Sequence, residues 1–311
     1  LVDPDSSLYD GRKKFVSSKF KNTPECVQDV RKALDDKDVD VISIATPNHW
    51  HSLMSIWACQ AGKDVYVEKP LSHNIFEGKK LVEAAKKYGR IVQHGTQNRS
   101  VQKWADQAQD IAAGKHGKLE VALGTCHKRR GSIGFKNTEK PPAALDFDIW
   151  TGPAQKEDFH KNLVHYNWHW FWKYGNGDIG NQGVHQMDIA RWMIPGARWP
   201  KSVVSVGGRF GYEDQGQTAN TQLTIFDYGE SLLVFDVRGL SGKSNMGVSN
   251  KTYFDKNASQ KTSKSYDMKG IRSPLSDRGK GDIFENFIHA VRSRKTEDLN
   301  AHVYEGHVSS G

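Results

Sequence analysis

Residues 39–114 alternate short apolar stretches with helical patterns that end in glycine, and this alternation limits the fold more than any other feature of the chain. Residues 39–45 are β-branched and apolar and read as a buried strand. A helix follows at 51–61, with Gly62 positioned to end it. Residues 65–67 are the next strand. Residues 75–88 form an amphipathic helix stopped by Gly89, 91–94 a strand, and 101–113 a helix stopped by Gly114. Strands separated by helices of this length require crossover connections, hence a parallel sheet with right-handed βαβ units. A further helix is expected to begin at Thr23-Pro24, with Thr at the cap and Pro at the first helical position.

The period changes after residue 118. Residues 120–128, 201–211, 217–227 and 232–238 alternate as strands do, with Gly229, Gly239 and Gly242 between them. These read as a largely antiparallel sheet. One strong helix, 182–193, interrupts it, and an amphipathic helix spans 282–294. Residues 243–270 are polar and read as long loops or edge strands. The expected organisation is an α/β dinucleotide-binding domain over 1–118 and an α+β domain over 119–311. Leu1-Val2-Asp3 reads as the tail of a strand, so a first strand is expected ahead of it. Ser309-Ser310-Gly311 reads as the approach to another element.

Composition excludes several classes. With 37% apolar and 26% charged residues the 311-residue chain has a globular balance. No apolar run nears the roughly 18 residues of a membrane-crossing helix. The net charge of +8 comes from lysines scattered along helices, such as Lys79, Lys80, Lys86 and Lys87, with no basic run. Nucleic acid is therefore not an expected partner, whereas an anionic dinucleotide suits a mildly basic surface. Cys26, Cys59 and Cys126 define neither a disulfide framework nor a metal site. Cys26 and Cys59 fall in helical patterns, as small buried apolar residues would.

A G-x-G-x-x-G occurs once, at Gly175-Asn176-Gly177-Asp178-Ile179-Gly180. It fails as a dinucleotide fingerprint, because that motif needs a buried strand before it to deliver the glycines to a pyrophosphate. Here the preceding residues are bulky: Trp168, His169, Trp170, Phe171 and Trp172. The true loop is expected before Leu1. Asp3 fits an acid closing the second strand of such a fold, where it accepts hydrogen bonds from ribose hydroxyls and repels a 2′-phosphate. That favours NAD over NADP; the alternative is a plain polar turn at Asp3-Pro4-Asp5.

Two loops at the C-terminal edge of the parallel sheet carry chemistry. Thr46-Pro47-Asn48 and His51 either touch a cofactor or cap the following helix. In Glu68-Lys69-Pro70 the proline restricts Lys69 to an extended conformation, which aims the lysine outward from the sheet edge. A third cluster, from Asp178 to Asp188, supplies histidine and carboxylates.

Together Thr46-Pro47-Asn48-x-x-His51, Glu68-Lys69-Pro70 and Gly183-Val184-His185-Gln186-Met187-Asp188 resemble the Gfo/Idh/MocA oxidoreductases, in order and over nearly the whole chain. Phe147-Asp148-Ile149-Trp150-Thr151-Gly152-Pro153 is similar to a segment of one bacterial branch. The resemblance implies a Rossmann domain, an open-faced β-sheet domain, a nicotinamide cofactor and a sugar or cyclitol substrate. It implies that Glu68 lies near the nicotinamide ribose, that Lys69 contacts the reacting oxygen and that His185 is the acid/base. Gln97 and Arg99 would line the active site. The aromatic run Trp168, Trp170, Phe171 and Trp172, with His165 and His169 as polar neighbours, either presents flat faces to a sugar or packs in the core. A homo-oligomer through the open face of the sheet is expected. Many members carry aspartate where this chain has Asn181, four residues before the histidine. Asn181 orients a hydroxyl but takes no proton, and Asp178 is the nearby carboxylate that would compensate.

The expected activity is NAD-dependent hydride transfer to or from a secondary alcohol. Two alternatives remain at this level: glycoside cleavage by transient oxidation and elimination, or a non-catalytic sugar-binding relative. No metal is expected. Cytoplasm is the default compartment, with periplasmic export the alternative. Asp3→Ala should narrow the preference for NAD over NADP, and titration of both cofactors checks it. Tighter NADP than NAD binding by the unaltered protein would remove Asp3 from the ribose.

Overall fold

The computed structural model describes residues 1–242, 247–255, 261–264 and 282–311. Helices α1 (Tyr9–Lys19) and α2 (Val30–Asp35) precede the alternation. Strands β1 (Val41–Ile44), β2 (Asp64–Val67) and β3 (Val92–His94) then alternate with α3 (Asn48–Gln60), α4 (Ile75–Tyr88) and α5 (Gln102–Ala112). The three strands are parallel in the order β1-β2-β3, with Ile44 opposite Val67 and Val67 opposite His94. All of β2 is buried, as befits a strand between two neighbours and under helices. Its Val65 and Val67 share a core with Trp50, Ala58 and Leu81. Helix α4 has the expected bounds because both ends are chemically marked. The Asn74 side chain accepts the Glu77 amide, and Gly89 takes a φ of 60° to close the last turn.

Thr23-Pro24 does not start a helix. Residues 1–3 pair with Val27, the Val27 amide donating to the Leu1 carbonyl at 3.0 Å and the Asp3 amide to the Val27 carbonyl at 3.2 Å. That pairing holds the chain extended until Asp29, whose side chain caps α2 through the Arg31 amide. Cys26 thus lies outside any helix, while Cys59 is buried inside α3.

Beyond the first sheet come β4 (Leu119–Cys126), the short helices α6 (Phe147–Thr151) and α7 (Gly177–Gly180), and α8 (Gly183–Met193). Strands β5 (Ser202–Gly208), β6 (Thr221–Asp227), β7 (Leu232–Arg238), β8 (Val248–Phe254) and β9 (Lys261–Lys264) follow. They form one six-stranded sheet in the order β5-β6-β7-β4-β8-β9. Only β4 and β7 run parallel; the other neighbours are antiparallel. Residues expected in loops or edge strands at 243–270 include β8 and β9, and 243–246, 256–260 and 265–270 lie outside the described residues.

Helix α8 covers one face of this sheet, and Gly124 is what lets it come close. A Cβ there would stand 2.6 Å from the Phe235 ring and 3.3 Å from the Gln186 carbonyl. Ile189, Met193, Leu233, Phe235 and Val237 fill the interface. The opposite face stays open: Val204 and Val206 in β5 are 63% and 64% exposed.

The chain then returns to its beginning. Helix α9 (Ile283–Ser293) packs Ile283 and Phe287 against Tyr66 and Ile91. The His94 amide donates to the Ala301 carbonyl at 2.9 Å, and Gln93 bridges His302. Residues 283–311 therefore belong with the first sheet, not with the second domain as the division at 118/119 has it. Ser309 and Ser310 lie in the last turn of a helix, α10 (Val303–Ser310).

Gly306 is the contact on which α10 depends. A Cβ there would meet the fully buried His94 ring at 2.6 to 2.8 Å. Gly306→Ala should lower stability by about 1–3 kcal/mol through overpacking, read by denaturant unfolding. An unchanged midpoint would mean that α10 shifts freely on β3.

Candidate active site

The site lies where the C-terminal edge of the first sheet meets the beginning of α8. Strand β2 is followed directly by Glu68, whose amide donates to the Ile44 carbonyl at 2.9 Å. Next in the chain, Lys69 reaches across to the second domain. Its Nζ donates to the Asn181 carbonyl at 2.9 Å and to Asn181 Oδ1 at 3.2 Å. Asn181 stands one residue before Gln182, and His185 lies in the first turn of α8. Lys69, Asn181 and His185, singled out from different parts of the sequence, are thus brought to one place.

The electrostatics of this place are set by burial and by surplus positive charge. Burial lowers the pKa of Lys69, as do Lys128 and Arg130, while Glu68 and Asp178 oppose them. The half-buried His185 is pressed to about 3 by burial, then by Lys69 and Lys128, with Asp188 pulling the other way. Its imidazole is therefore neutral at physiological pH and able to accept a proton. Burial raises the pKa of Glu68, opposed by the Lys69 amide and the Lys69 charge.

Residues assigned to the cofactor line the same edge. Glu68 Oε1 accepts from Tyr66 Oη at 3.5 Å and from Gln97 Nε2 at 3.4 Å. Thr46 Oγ1 and Gln97 Oε1 are buried with no hydrogen-bond partner among the described residues. Gly95 passes so close that a Cβ would touch Glu68 at 3.0 Å. Unmatched polar atoms beside a carboxylate suit the hydroxyls of a ribose and the amide of a nicotinamide. Pro47 ends the extended chain, and Asn48 opens α3. Asn48 Nδ2 donates to Asn176 Oδ1 at 3.0 Å, so it ties the first domain to the α7 turn. His51 is buried, with Nδ1 2.6 Å from the Pro70 carbonyl and Nε2 2.8 Å from the Thr46 carbonyl. It braces the two loops from behind and turns no ring nitrogen toward a cofactor. Asp3 is half-buried, and its Oδ1 accepts the Asp5 amide at 2.9 Å.

Three expected site residues have other employment. Arg99 does not line a cleft: its Nε donates to Asp188 at 3.0 and 2.9 Å and its Nη2 at 2.8 Å, all buried. Asp178 is no free base, because Arg130 grips it through Nε at 3.1 and 2.9 Å and through Nη2 at 2.6 Å. Trp170 is 5% exposed and lies under the Arg130 guanidinium, 5.1 Å from the ring. His169 stacks on Trp168 with centroids 3.6 Å apart and points Nδ1 at the Tyr166 carbonyl. Burial brings its pKa to about 4; that carbonyl opposes the shift, and Lys69 and Arg130 add to it, so it stands at the same cationic cleft. The G-x-G-x-x-G at 175–180 follows the turn at Asn167–Trp170 and leads into α7, with no strand before it.

Comparison with known proteins agrees with this geometry. Residues 7–96 match the model described as oxidoreductase family, NAD-binding Rossmann fold. Residues 129–229 match the C-terminal alpha/beta domain of the same family. The chain belongs to the Gfo/Idh/MocA oxidoreductase family. It carries an NAD-binding Rossmann domain followed by the family's C-terminal α/β domain. Over 166 residues it is 28% identical to the levoglucosan dehydrogenase of Pseudarthrobacter phenanthrenivorans, covering 53% of this chain and 36% of that protein. Over 91 residues it is 37% identical to the NAD-dependent scyllo-inositol 2-dehydrogenase of Bacillus subtilis, covering 29% of this chain and 27% of that protein. The matched stretches thus span about a third of those relatives. The WlbA dehydrogenase of Bordetella pertussis, solved with NADH and UDP-GlcNAcA, superposes with a TM-score of 0.72 at 16% identity. That superposition covers 99% of this chain and 84% of the other, and it speaks for the fold.

Within the Gfo/Idh/MocA frame two residues escaped the sequence reading, Lys128 and Arg130. The signal was present: His127-Lys128-Arg129-Arg130 follows β4 directly, a short basic run at the point where the strand leaves the sheet. Asp188 was seen only as part of the motif around His185. Asp188→Asn keeps the shape but removes the charge that three hydrogen bonds tie to the buried Arg99, leaving it Glu305 at 3.4 Å as its remaining carboxylate. It should cost about 3–5 kcal/mol, the scale for breaking a buried ion pair from one side. Denaturant unfolding measures it, and a change below 1 kcal/mol, on the order of an exposed pair, would show that the arginines find other partners.

Proposed function

We propose that this protein is an NAD-dependent oxidoreductase acting on a secondary alcohol of a sugar or cyclitol. The observation that carries the reading is the junction of Lys69 with Asn181, 2.9 Å from Nζ to the carbonyl, at the start of the helix that bears His185. An amine and a neutral imidazole from two domains meet there beside the edge that fits a nicotinamide ribose. The named relatives, dehydrogenases of levoglucosan and scyllo-inositol, support the same substrate class.

Bound NAD supplies the hydride acceptor. Glu68, Thr46 and Gln97 would hold its ribose and amide end, and Asp3 would hold the adenosine ribose. A substrate hydroxyl replaces Asn181 as the partner of Lys69. His185 then takes the hydroxyl proton on its free ring nitrogen. Lys69 stabilises the alkoxide that develops, as a cation fixed in a water-poor site does at low reorganisation cost. Asn181, released from the amine, donates or accepts at a neighbouring hydroxyl. His185 rather than Asp178 is the base, because Asp178 is already committed to Arg130. A second copy of this chain would cover the open face of the six-stranded sheet, where Val204, Val206, Leu223 and Ile225 are exposed. Apolar area of that kind marks an interface.

The test is formation of NADH with a panel of sugars and cyclitols. Lys69→Met should lower turnover by about a hundredfold or more with little change in NAD affinity. His185→Ala should cost a comparable factor. With the His185 pKa near 3, activity requires the neutral ring, so the acid limb of the pH profile should be absent around 6.5 and enter only at much lower pH. A fully active His185→Ala variant would remove it as the base. Failure of every sugar and cyclitol to reduce NAD would sink the reading itself.

A further inference from the structure

The segment that leaves β4 carries Lys128, Arg129 and Arg130, and the charges of Lys128 and Arg130 bear on Lys69. Lys128 Nζ donates to Gln182 Oε1 at 3.2 Å. Lys69 Nζ is bound to the preceding residue, Asn181. The two amines therefore flank adjacent residues just ahead of His185. Arg130 stands on the same side, over Trp170 and paired with Asp178. Arg129 and Lys128 are exposed.

The acids that bear on Lys69 are Glu68 and Asp178. Glu68 lies on the cofactor side, and Asp178 already holds Arg130. The other carboxylate near His185, Asp188, is taken by Arg99. Among the described residues, Lys128 has a neutral amide oxygen, Gln182 Oε1, as its partner. Its charge is felt inside, where it lowers the pKa of both Lys69 and His185. A cation that opposes its neighbours' charge is costly unless an anion joins them.

We infer that the substrate carries an anionic group, a carboxylate or a phosphate, and that Lys128 is the specificity residue that receives it while Lys69 faces the reacting hydroxyl. The inference rests on the reading of this site as a sugar or cyclitol oxidoreductase and narrows its substrate to acidic sugars. Arg129, next in the chain and exposed, adds to the attraction without touching the reacting centre. Electrostatic focusing in a cleft lined by one sign of charge raises both the capture rate and the local concentration of an anion.

The test titrates d-glucuronate, a glucose phosphate and glucose into the protein saturated with NAD, by calorimetry, alongside NADH formation from each. At least one of the anions should bind about tenfold tighter than glucose, a difference that corresponds to about 1.4 kcal/mol. Whichever anion gains more identifies the group. Lys128→Ala should bring the ratio of acidic to neutral affinity to within about twofold, and Lys128→Glu should invert it. Lys128 is exposed, so neither change threatens folding. Raising the salt concentration should weaken the acidic ligands selectively. Equal affinity for all three, no measurable binding of any, or a preference that survives Lys128→Ala would each overturn the inference. A Lys128→Ala variant that lowers turnover equally for all three substrates would do so too, because it would reduce Lys128 to a tuner of His185. If the acidic preference holds but no NADH forms, the inference about the anion stands and the hydride-transfer reading falls.

Discussion

The buried ion pair between Arg99 and Asp188 fixes how the two halves of the molecule meet. Arg99 follows β3 at the edge of the first sheet, and Asp188 sits on α8 against the second. Ser309 of α10 adds a hydrogen bond to the same carboxylate at 2.5 Å. Arg191, one turn further along α8, reaches Ser309 and Glu305. Burial pushes the Asp188 carboxyl up, yet Arg99, with Arg191 and Ser309, holds it below the ordinary carboxylate range. A buried pair of this kind adds little net stability, because desolvation offsets most of the attraction. What it contributes is geometry. Two planar groups joined by three bonds of 2.8 to 3.0 Å leave α8 little freedom to slide or turn. His185 is one turn before Asp188 on that helix, so its position relative to Lys69 is inherited from the clamp.

The fold pays for this arrangement with close backbone contacts. Gly124 allows α8 onto the sheet, and Gly306 allows α10 onto His94. Each removes a side chain where a charged residue one or two turns away must reach its partner. The clamp and the glycines are therefore parts of one device: helices close enough to exclude water, and an ion pair strong enough only because water is excluded.

Much of this was legible in the chain because local chemistry and global fold agree there. Helix α4 is bounded by Asn74 and Gly89, and β7 matches residues 232–238 as expected, since alternation, turn glycines and burial point the same way. The agreement ends where a distant partner decides. Thr23-Pro24 carries the marks of a helix start, but pairing with residues 1–3 claims that backbone. Helices α9 and α10 follow the second sheet in sequence and return to the first, a choice that no local pattern encodes. Arg99 and Asp178 looked like site residues because they sit in site motifs. Side chains 89 and 48 residues away, Asp188 and Arg130, neutralise them instead.

The replacement of a carboxylate by Asn181 gains its meaning from these partners. An aspartate there would lie against Lys69 Nζ, and a direct ion pair would hold the amine more firmly than a neutral amide does. With Asn181, the lysine is restrained by two neutral acceptors at 2.9 and 3.2 Å, and the carboxylates whose charge it feels are Glu68 and Asp178. Asp178 does not restore the balance, since Arg130 covers it. In the proposed reaction the proton of a substrate hydroxyl would go to the neutral ring of His185. The positive charge left around Lys69 and Lys128 lowers that ring's basicity and the pKa of a bound hydroxyl together. Burial is the larger cause of the histidine's weak basicity; only the share that comes from Lys69 and Lys128 is offset, because those same cations would stabilise the alkoxide.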